Sequence, residues 1–246
     1  MSPYRPRRPA VSACILLVSL AFSPAAKAEA RPDLDGSVRL SNERTITRWA
    51  NAEHRALIRK RPISSSRRIT RVHSFTEDGF PEVYLLLRRW TDPEGGSWLQ
   101  VRIPMRPNGR KGWVRDSALG RSHLVRTRLE VDRKKQRATL FRSGQRIWRS
   151  RVGVGAPLTP TPAGRFWIRE RIKVAESGSS YGPWAFGTSA YSRLSEWPGG
   201  GVIGIHGTDQ PNLIPGRPSH GCVRVRNGAI KRLAHRMPTG TPVRIR

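Results

Sequence analysis

The chain has 246 residues, of which 37% are hydrophobic, and a formal net charge of +29. This length limits it to one large domain or two small ones, and the apolar content supports a modest core with some solvated segments. The charge favours an anionic partner, which would be nucleic acid inside a cell or a phosphate- or carboxylate-bearing polymer outside it. Because the arginines are scattered along the chain, arginine-rich codon usage explains the charge equally well.

The N-terminal segment has the features of an export signal. Its start is positively charged, residues 10–22 are mostly apolar, and Ala26-Lys27-Ala28 fits the small-x-small cleavage pattern. The apolar run is too short to span a bilayer as a stable helix, although a retained anchor is the alternative. We therefore predict a signal peptide over residues 1–28, no stable membrane span after cleavage, and a location in the periplasm or cell wall.

Cleavage would remove Cys14 and leave Cys222 as the single cysteine of the mature chain. No intramolecular disulfide could then form. An unpaired thiol in an exported protein is either reactive or a small buried hydrophobe. The residues around Cys222 favour the reactive interpretation.

Residues 29–66 are polar and basic, and we predict a linker there. Four apolar residues in it hint at a short amphipathic helix: Ile46, Trp49, Ala50 and Leu57.

Residues 67–120 alternate short β-prone runs with turn signals, which is typical of a small barrel. The segments Trp98-Leu99-Gln100-Val101 and Gly112-Trp113-Val114 resemble the end of bacterial SH3-like domains. That resemblance implies a small β-barrel that binds wall material or supports a catalytic neighbour. The alternative is an irregular spacer.

Residues 124–246 continue the strand pattern and end in a helix and a closing strand. We predict a long loop over residues 177–201, whose aromatic residues form a binding rim or simply pack over the core. An apolar strand then ends at His206. Asn227 is a natural N-cap for a helix with one apolar face. The expected fold is mainly β, with one C-terminal helix.

His206, His220 and Cys222 form the candidate catalytic group. A thiol is only slightly ionised at neutral pH, so a nucleophilic cysteine needs a histidine that accepts its proton or pairs with the thiolate. His206 suits that role because it comes from a separate strand. His220 faces the same side as Cys222 only if the backbone between them is extended. Gly221 allows unusual dihedral angles, and the amides of Gly221 and Cys222 could form an oxyanion hole.

Two other interpretations of these residues remain. The two histidines and the thiolate could be three ligands of a zinc ion, although no fourth ligand is obvious. Each histidine could also be a hydrogen-bonded structural residue.

The motif closely resembles the signature of the L,D-transpeptidase family, the YkuD-type catalytic domain. It reads His206, twelve residues, and then Ser219-His220-Gly221-Cys222-Val223-Arg224-Val225-Arg226-Asn227. The stretches 159–166 and 181–187 look like other parts of the same domain. The resemblance covers about half of the chain, residues 124–246.

The resemblance implies a mostly β enzyme that acts on peptidoglycan stem peptides without a metal or cofactor. Cys222 would attack the carbonyl of the third residue, expel D-alanine and pass the acyl group to a side-chain amine of a second stem, giving a 3→3 cross-link. His206 would be the base and His220 part of the oxyanion pocket. It also implies inhibition by carbapenems.

Further substrate-binding candidates surround the motif. They are Ser219, Gly221, Gly207, Arg224, Asn227, Tyr181 and Trp184.

Three alternatives for the function remain, one with the same chemistry and two of a different class. An L,D-carboxypeptidase would use water in place of the acceptor amine, and the signature does not separate the two. A non-catalytic protein could bind anionic wall polymers through the SH3-like region. A nucleic-acid binder fits the charge only, because the export signal argues against it and no recognition motif is obvious.

Overall fold

The computed structural model describes Met1, Leu34 and residues 36–196 and 198–246. The chain divides into two compact units, Met1–Ala30 and Arg31–Arg246, and the described strands and helices all belong to the second. The predicted signal peptide, apart from its first residue, lies outside the described residues. In the part of the chain that is described, no helix is long and apolar enough to cross a membrane.

The first part of this second unit is an antiparallel sheet. Its strands are β1 (Val38–Arg39), β2 (Thr47–Asn51), β3 (Leu57–Arg59), β4 (Arg68–Arg71), β5 (Val83–Thr91), β6 (Ser97–Arg102), β7 (Lys111–Arg115) and β8 (His123–Val125). They lie in the order β4-β3-β7-β6-β5-β2-β8, and β1 pairs with β5. A 3₁₀ turn, Asp116–Ala118, follows β7. The SH3-like assignment of residues 67–120 stays a prediction.

The structure differs from the linker and the helix predicted within residues 29–66. Strands β1, β2 and β3 belong to the sheet, and Ala50 and Ile58 are fully buried in its core. Strands of two to five residues are too short for a period-two pattern to be visible in the sequence. Their partners are β5 and β7, which lie far away along the chain, so tertiary pairing decides the conformation here.

The second part is a mixed sheet with one α-helix among the described residues. The strands are β9 (Thr127–Asp132), β10 (Arg137–Arg142), β11 (Gln145–Gly155), β12 (Gly164–Trp167), β13 (Ile172–Lys173), β14 (Trp184–Tyr191), β15 (Val202–His206), β16 (Gly216–Ser219), β17 (Val223–Val225) and β18 (Pro242–Ile245). Their order is β12-β18-β9-β10-β11-β17-β15-β14-β13, and β16 pairs with β11. Two 3₁₀ turns are Pro198–Gly201 and Pro211–Leu213.

The mainly β fold with a C-terminal helix is confirmed, but the predicted loop over residues 177–201 is wrong in part. Strand β14 occupies its centre and pairs with β13 and β15. Apolar and polar residues alternate poorly in this segment because six consecutive residues, 186–191, are buried, so both faces of the strand are covered and neither needs to be polar.

The helix α1 (Asn227–Ala234) buries its apolar face against this sheet. Ile230 and Leu233 are fully buried in the same cluster as residues of β15 and β17. The predicted N-cap role of Asn227 is wrong, because the helix begins at that residue and the capping position is Arg226, with no side-chain cap. The Asn227 side chain is therefore free to bond elsewhere.

The two sheets share a boundary made of both apolar and charged groups. Trp167 packs against Val83 and Leu85, and its indole N–H donates to the Val83 carbonyl at 2.8 Å. Beside it, the Arg169 guanidinium forms a buried ion pair with Glu82. The C-terminal sheet therefore presents its pocket next to loops of the N-terminal sheet.

Candidate active site

Cys222 and His206 line one open cavity of about 340 Å³. His206 ends β15, and Cys222 directly precedes β17. These two strands pair in parallel, with Ile205 opposite Val223. This register places Cys222 level with Gly204, two residues before His206 on the neighbouring strand, so the two side chains come together although they are sixteen positions apart in the sequence.

Gly204 lies beneath both side chains. Its N–H donates a hydrogen bond to Cys222 Sγ at 3.3 Å. A Cβ at this position would lie 3.6 Å from His206 Cδ2 and 3.7 Å from Cys222 Sγ. The thiol and the imidazole therefore flank the same point of β15.

The imidazole of His206 is oriented by its own neighbour. Nδ1 lies 2.7 Å from the Gly207 carbonyl, so Nδ1 holds the proton and Nε2 is left as the acceptor. Burial lowers the pKa of His206 to about 4, although the Gly207 hydrogen bond opposes this. The ring is therefore neutral at pH 7, as a proton acceptor must be.

Burial also controls the thiol of Cys222. It raises the pKa of Cys222 above its ordinary value, and the Gly204 N–H and the charge of Arg224 only partly oppose it. A raised thiol pKa beside a lowered imidazole pKa keeps both groups uncharged. Of the two roles considered for the histidine, the electrostatics favour proton acceptance during attack over a preformed ion pair.

The turn before Cys222 is braced from both sides. Gly221 has a φ of +131°, a conformation that L side chains rarely adopt. Its carbonyl accepts a hydrogen bond from Thr161 Oγ1 at 2.7 Å. Ser219 Oγ donates to the Cys222 carbonyl at 2.6 Å and accepts from the Gly221 N–H at 3.2 Å. The Gly221 amide is thus engaged within the turn, which leaves Cys222 as the remaining candidate of the predicted amide pair.

Gly207 and Asn227 hold the loop after His206. The Gly207 N–H donates to the Trp184 carbonyl at 3.0 Å, and Asn227 Oδ1 accepts from the Thr208 N–H at 2.8 Å. A Cβ on Gly207 would overlap that same Oδ1. Both residues therefore support the histidine and are not among the groups that line the cavity.

Arg224 and Trp184 also contact residues around the site. Arg224 Nη1 donates to Gln210 Oε1 at 3.1 Å, and its charge lowers the pKa of both His206 and Cys222. Trp184 packs against the core and stacks with Phe186 at 6.5 Å between ring centroids. The two roles considered for the aromatic residues of this segment were a binding rim and packing over the core, and Trp184 packs over the core.

Tyr181 and His220 differ in their relation to the cavity. Tyr181 lines it, and its ring centroid lies 4.8 Å from that of His206. His220 is exposed at the bend before Gly221, so the extended backbone that would align it with Cys222 is not present. The described lining residues do not include His220.

Two carboxylates in the cavity lining were not predicted, Asp78 and Glu170. Glu170 directly follows the ion-paired Arg169. Asp78 comes from the N-terminal sheet, on a hairpin closed by the bridge between Phe75 and Pro81. No local sequence pattern indicates that these residues meet.

The hairpin is held at the cavity by Glu77. One oxygen of Glu77 accepts from the Tyr191 hydroxyl at 2.5 Å, and the other lies 2.9 Å from Arg169 Nη1. Arg169 also pairs with Glu82. This network explains how a loop of one sheet becomes a wall of a cavity in the other.

Residues 126–245 match the model of the YkuD family, described as the L,D-transpeptidase catalytic domain. These residues form a YkuD domain. A YkuD protein of Bacillus subtilis, assigned provisionally as an L,D-transpeptidase, is 34% identical over 94 residues, which cover 38% of this chain and 50% of that protein. The chain thus spans half the length of the curated relatives that it matches.

Two solved structures are also similar to the chain that carries this YkuD domain. A cysteine-to-serine mutant of Enterococcus faecium L,D-transpeptidase is 25% identical, with 49% of each chain covered and a TM-score of 0.40. Bdellovibrio bacteriovorus Bd1075 is 30% identical, with 50% of this chain and 47% of that chain covered and a TM-score of 0.40.

Proposed function

We propose that this chain is an exported cysteine acyltransferase that cross-links peptidoglycan stem peptides. The proposal rests chiefly on one observation, which is a thiol and a neutral, oriented imidazole over Gly204 in a YkuD domain. No metal or cofactor is required by this chemistry.

The first step forms a thioester. His206 Nε2 accepts the Cys222 proton as Sγ attacks the carbonyl carbon of the third stem residue. The Cys222 amide is the candidate donor to the resulting oxyanion. When the tetrahedral intermediate collapses, the bond to D-alanine breaks, and the departing amine takes the proton from Nε2.

The second step transfers the acyl group. A side-chain amine of another stem attacks the thioester carbonyl, Nε2 accepts a proton from that amine, and the thiolate leaves. The proton then returns to sulfur, so the enzyme is regenerated and a 3→3 link is formed. Water in place of the amine would give a tripeptide, which is the carboxypeptidase reaction.

The uncharged state of the Cys222 thiol and the His206 imidazole supports this order of events. A thiol with a raised pKa is protected from adventitious reaction, because only a bound carbonyl placed next to it draws the proton onto His206. The braced turn from Ser219 to Cys222 and the Asn227 bond to the His206 loop keep both partners at fixed positions. Such preorganisation accounts for a large part of catalysis by enzymes of this kind.

The test uses the mature protein and purified disaccharide-tetrapeptide. We expect release of D-alanine and formation of a cross-linked dimer, both lost in Cys222→Ala and reduced by at least about 100-fold in His206→Ala. His54→Ala, which removes an exposed histidine, is the matched control. Tripeptide without dimer would identify hydrolysis, and equal turnover in Cys222→Ala would exclude the enzyme proposal in favour of a wall-binding protein.

Carbapenem labelling provides an independent measure of the nucleophile. A carbapenem should acylate the protein once, and the mass increase should map to the peptide containing Cys222. Fractionation of cells that express the full chain should find the processed protein in the periplasm or wall. Retention of residues 1–28 on a cytoplasmic protein would contradict the export proposal.

A further inference from the structure

The wall formed by Glu170 has a polar atom without a partner. The Glu170 residue is 2% exposed, yet it lines the same cavity as Cys222 and His206. Among the described residues, no group hydrogen-bonds to its buried Oε2. A buried carboxylate oxygen without a partner is costly, so a native protein retains one mainly where a ligand or water completes it.

The backbone beside Glu170 makes room for this carboxylate. Gly187, on β14, also lines the cavity, and a Cβ at that position would overlap Glu170 Oε2. The space occupied by the oxygen is therefore obtained by the absence of a side chain on the neighbouring strand. Gly187 has an ordinary strand position, so the glycine is needed for space and not for an unusual φ.

Asp78 supplies a second carboxyl group to the same wall. Burial is the largest cause that raises the pKa of Glu170, to about 7, and the negative charge of Asp78 and a side-chain hydrogen bond with Asp78 add to it. Thr76 and the charge of Arg169 act in the opposite direction. Arg169 cannot neutralise the pair fully, because its guanidinium already binds Glu82 and Glu77.

We propose that Glu170 and Asp78 form a subsite for a primary ammonium group of a stem peptide. This inference rests on the proposed function, since it assigns a part of the substrate to one wall of that cavity. The group bound is either the side-chain ammonium of the acceptor, which passes its extra proton to the Glu170 carboxylate before the nitrogen attacks the thioester, or an ammonium on the donor stem, and both have the same chemistry.

The charges of the cavity select for a cation. Two carboxylates in a partly dehydrated wall attract an ammonium group strongly and repel the carboxylate ends of a stem. The remaining lining residues near them are apolar, namely Ile172, Val174 and Phe186, and suit the methylene chain that carries a side-chain amine. This acidic wall is notable in a chain of net charge +29, whose surface otherwise favours anions.

Binding should depend on pH with a defined sign. Below pH 7 Glu170 is protonated, so the wall has one negative charge fewer and holds an ammonium group less well. The KM for an amine substrate should therefore fall as the pH rises through about 7, while the ammonium itself stays charged up to about pH 10.

The experiment compares Glu170→Gln and Asp78→Asn with wild type at pH 8. Disaccharide-tetrapeptide is the donor, and Nα-acetyl-lysine amide is the added amine. We expect the loss of one charged contact to raise a KM about tenfold or more, with kcat changed far less. Glu94→Gln, the same chemical change on an exposed turn, is the control and should leave both KM values unchanged.

The two arms identify which amine is bound. A higher KM for the added amine alone assigns the subsite to the acceptor, and a higher KM for D-alanine release without added amine assigns it to the donor. Nα-acetyl-norleucine amide, which has a hydrogen in place of the ammonium group, should not compete in wild type. Unchanged KM values in both arms for both variants would overturn the inference.

Acylation of Cys222 by a carbapenem separates this result from the proposed function. Variants that are acylated at the wild-type rate are folded and have an intact nucleophile. If wild type releases no D-alanine, the proposed function is wrong. If wild type turns over and the two variants keep its KM values, only the ammonium subsite is wrong. Asp78→Asn changes an exposed hairpin residue, so its result stands even if Glu170→Gln fails to fold.

Discussion

The Asn227 carboxamide accepts a hydrogen bond from the Thr208 N–H at 2.8 Å, which ties the first residue of α1 to the loop that follows His206. Gly207 lies between His206 and Thr208 in the chain, and its carbonyl accepts a hydrogen bond from the imidazole Nδ1–H of His206. The last residue of the motif therefore acts on His206 from a distance. Its side chain has this role because it is not used to cap the helix.

Replacing Asn227 should make the position of the His206 ring less fixed while leaving His206 itself in place. We expect Asn227→Ala to lower the rate of Cys222 acylation by a carbapenem about fivefold, since one hydrogen bond contributes about 1 kcal/mol. Asn227→Asp keeps the acceptor oxygen and should restore most of the rate. Asn212→Ala, at an exposed position, is the control. Equal rates in Asn227→Ala and wild type would show that the loop holds its shape without this bond.

The rate of acylation should remain high on the acid side of neutrality. Because burial lowers the pKa of His206 to about 4, the base stays unprotonated from pH 7 down to about pH 5. The acylation rate should therefore fall only as the pH drops toward 4. A midpoint near 6.5, the ordinary value for histidine, would contradict the buried neutral imidazole. Stopped-flow measurement with a carbapenem avoids any contribution from an amine substrate.

The same shift predicts a loss of stability in acid. The folded pKa of His206 lies below the unfolded one, so its contribution is complete above about pH 6.5 and is lost as the pH falls through about 4. Compared with His206→Gln, wild type should lose more unfolding free energy between pH 7 and pH 4. Urea unfolding at both pH values measures the difference, and parallel losses in the two proteins would count against it.

Thr161 should matter to the conformation of Gly221. Its hydroxyl donates to the Gly221 carbonyl and accepts from the Gly155 N–H at 2.8 Å. Thr161→Val keeps the shape and leaves both buried partners unsatisfied, so we expect a destabilisation of about 2 kcal/mol and slower acylation. Thr161→Ser should retain both properties. Thr159→Val, which removes only a long 3.4 Å bond, is the comparison.

The ion pair of Arg169 and Glu82 should respond strongly to loss of one member. Both side chains are 2% exposed. Arg169→Met leaves two carboxylates without their cation, and we expect it to cost about 3 to 5 kcal/mol of unfolding free energy. Adding Glu82→Gln should recover part of that loss. A double-mutant cycle by urea unfolding measures the coupling, and additive losses would show that the pair is not coupled.

The sequence by itself indicated the candidate catalytic group and determined most of the C-terminal sheet. Cys222, His206 and the apolar runs of β9 to β11 are recognisable because short motifs and period-two patterns depend on neighbouring residues. The role of His220 was not decided by the motif, because it depends on the backbone between it and Cys222. The dihedral angle of Gly221 and the surrounding hydrogen bonds are properties of the folded turn.

Only the tertiary structure decided which other groups reach the cavity. Asp78 and Glu170 are far apart along the chain, and their meeting depends on the contacts between Arg169 and the two carboxylates Glu77 and Glu82, which hold the hairpin. The strands within residues 36–66 are also set by distant partners. Local propensity is weak in segments so short, and burial and pairing against another sheet supply the free energy that selects their conformation.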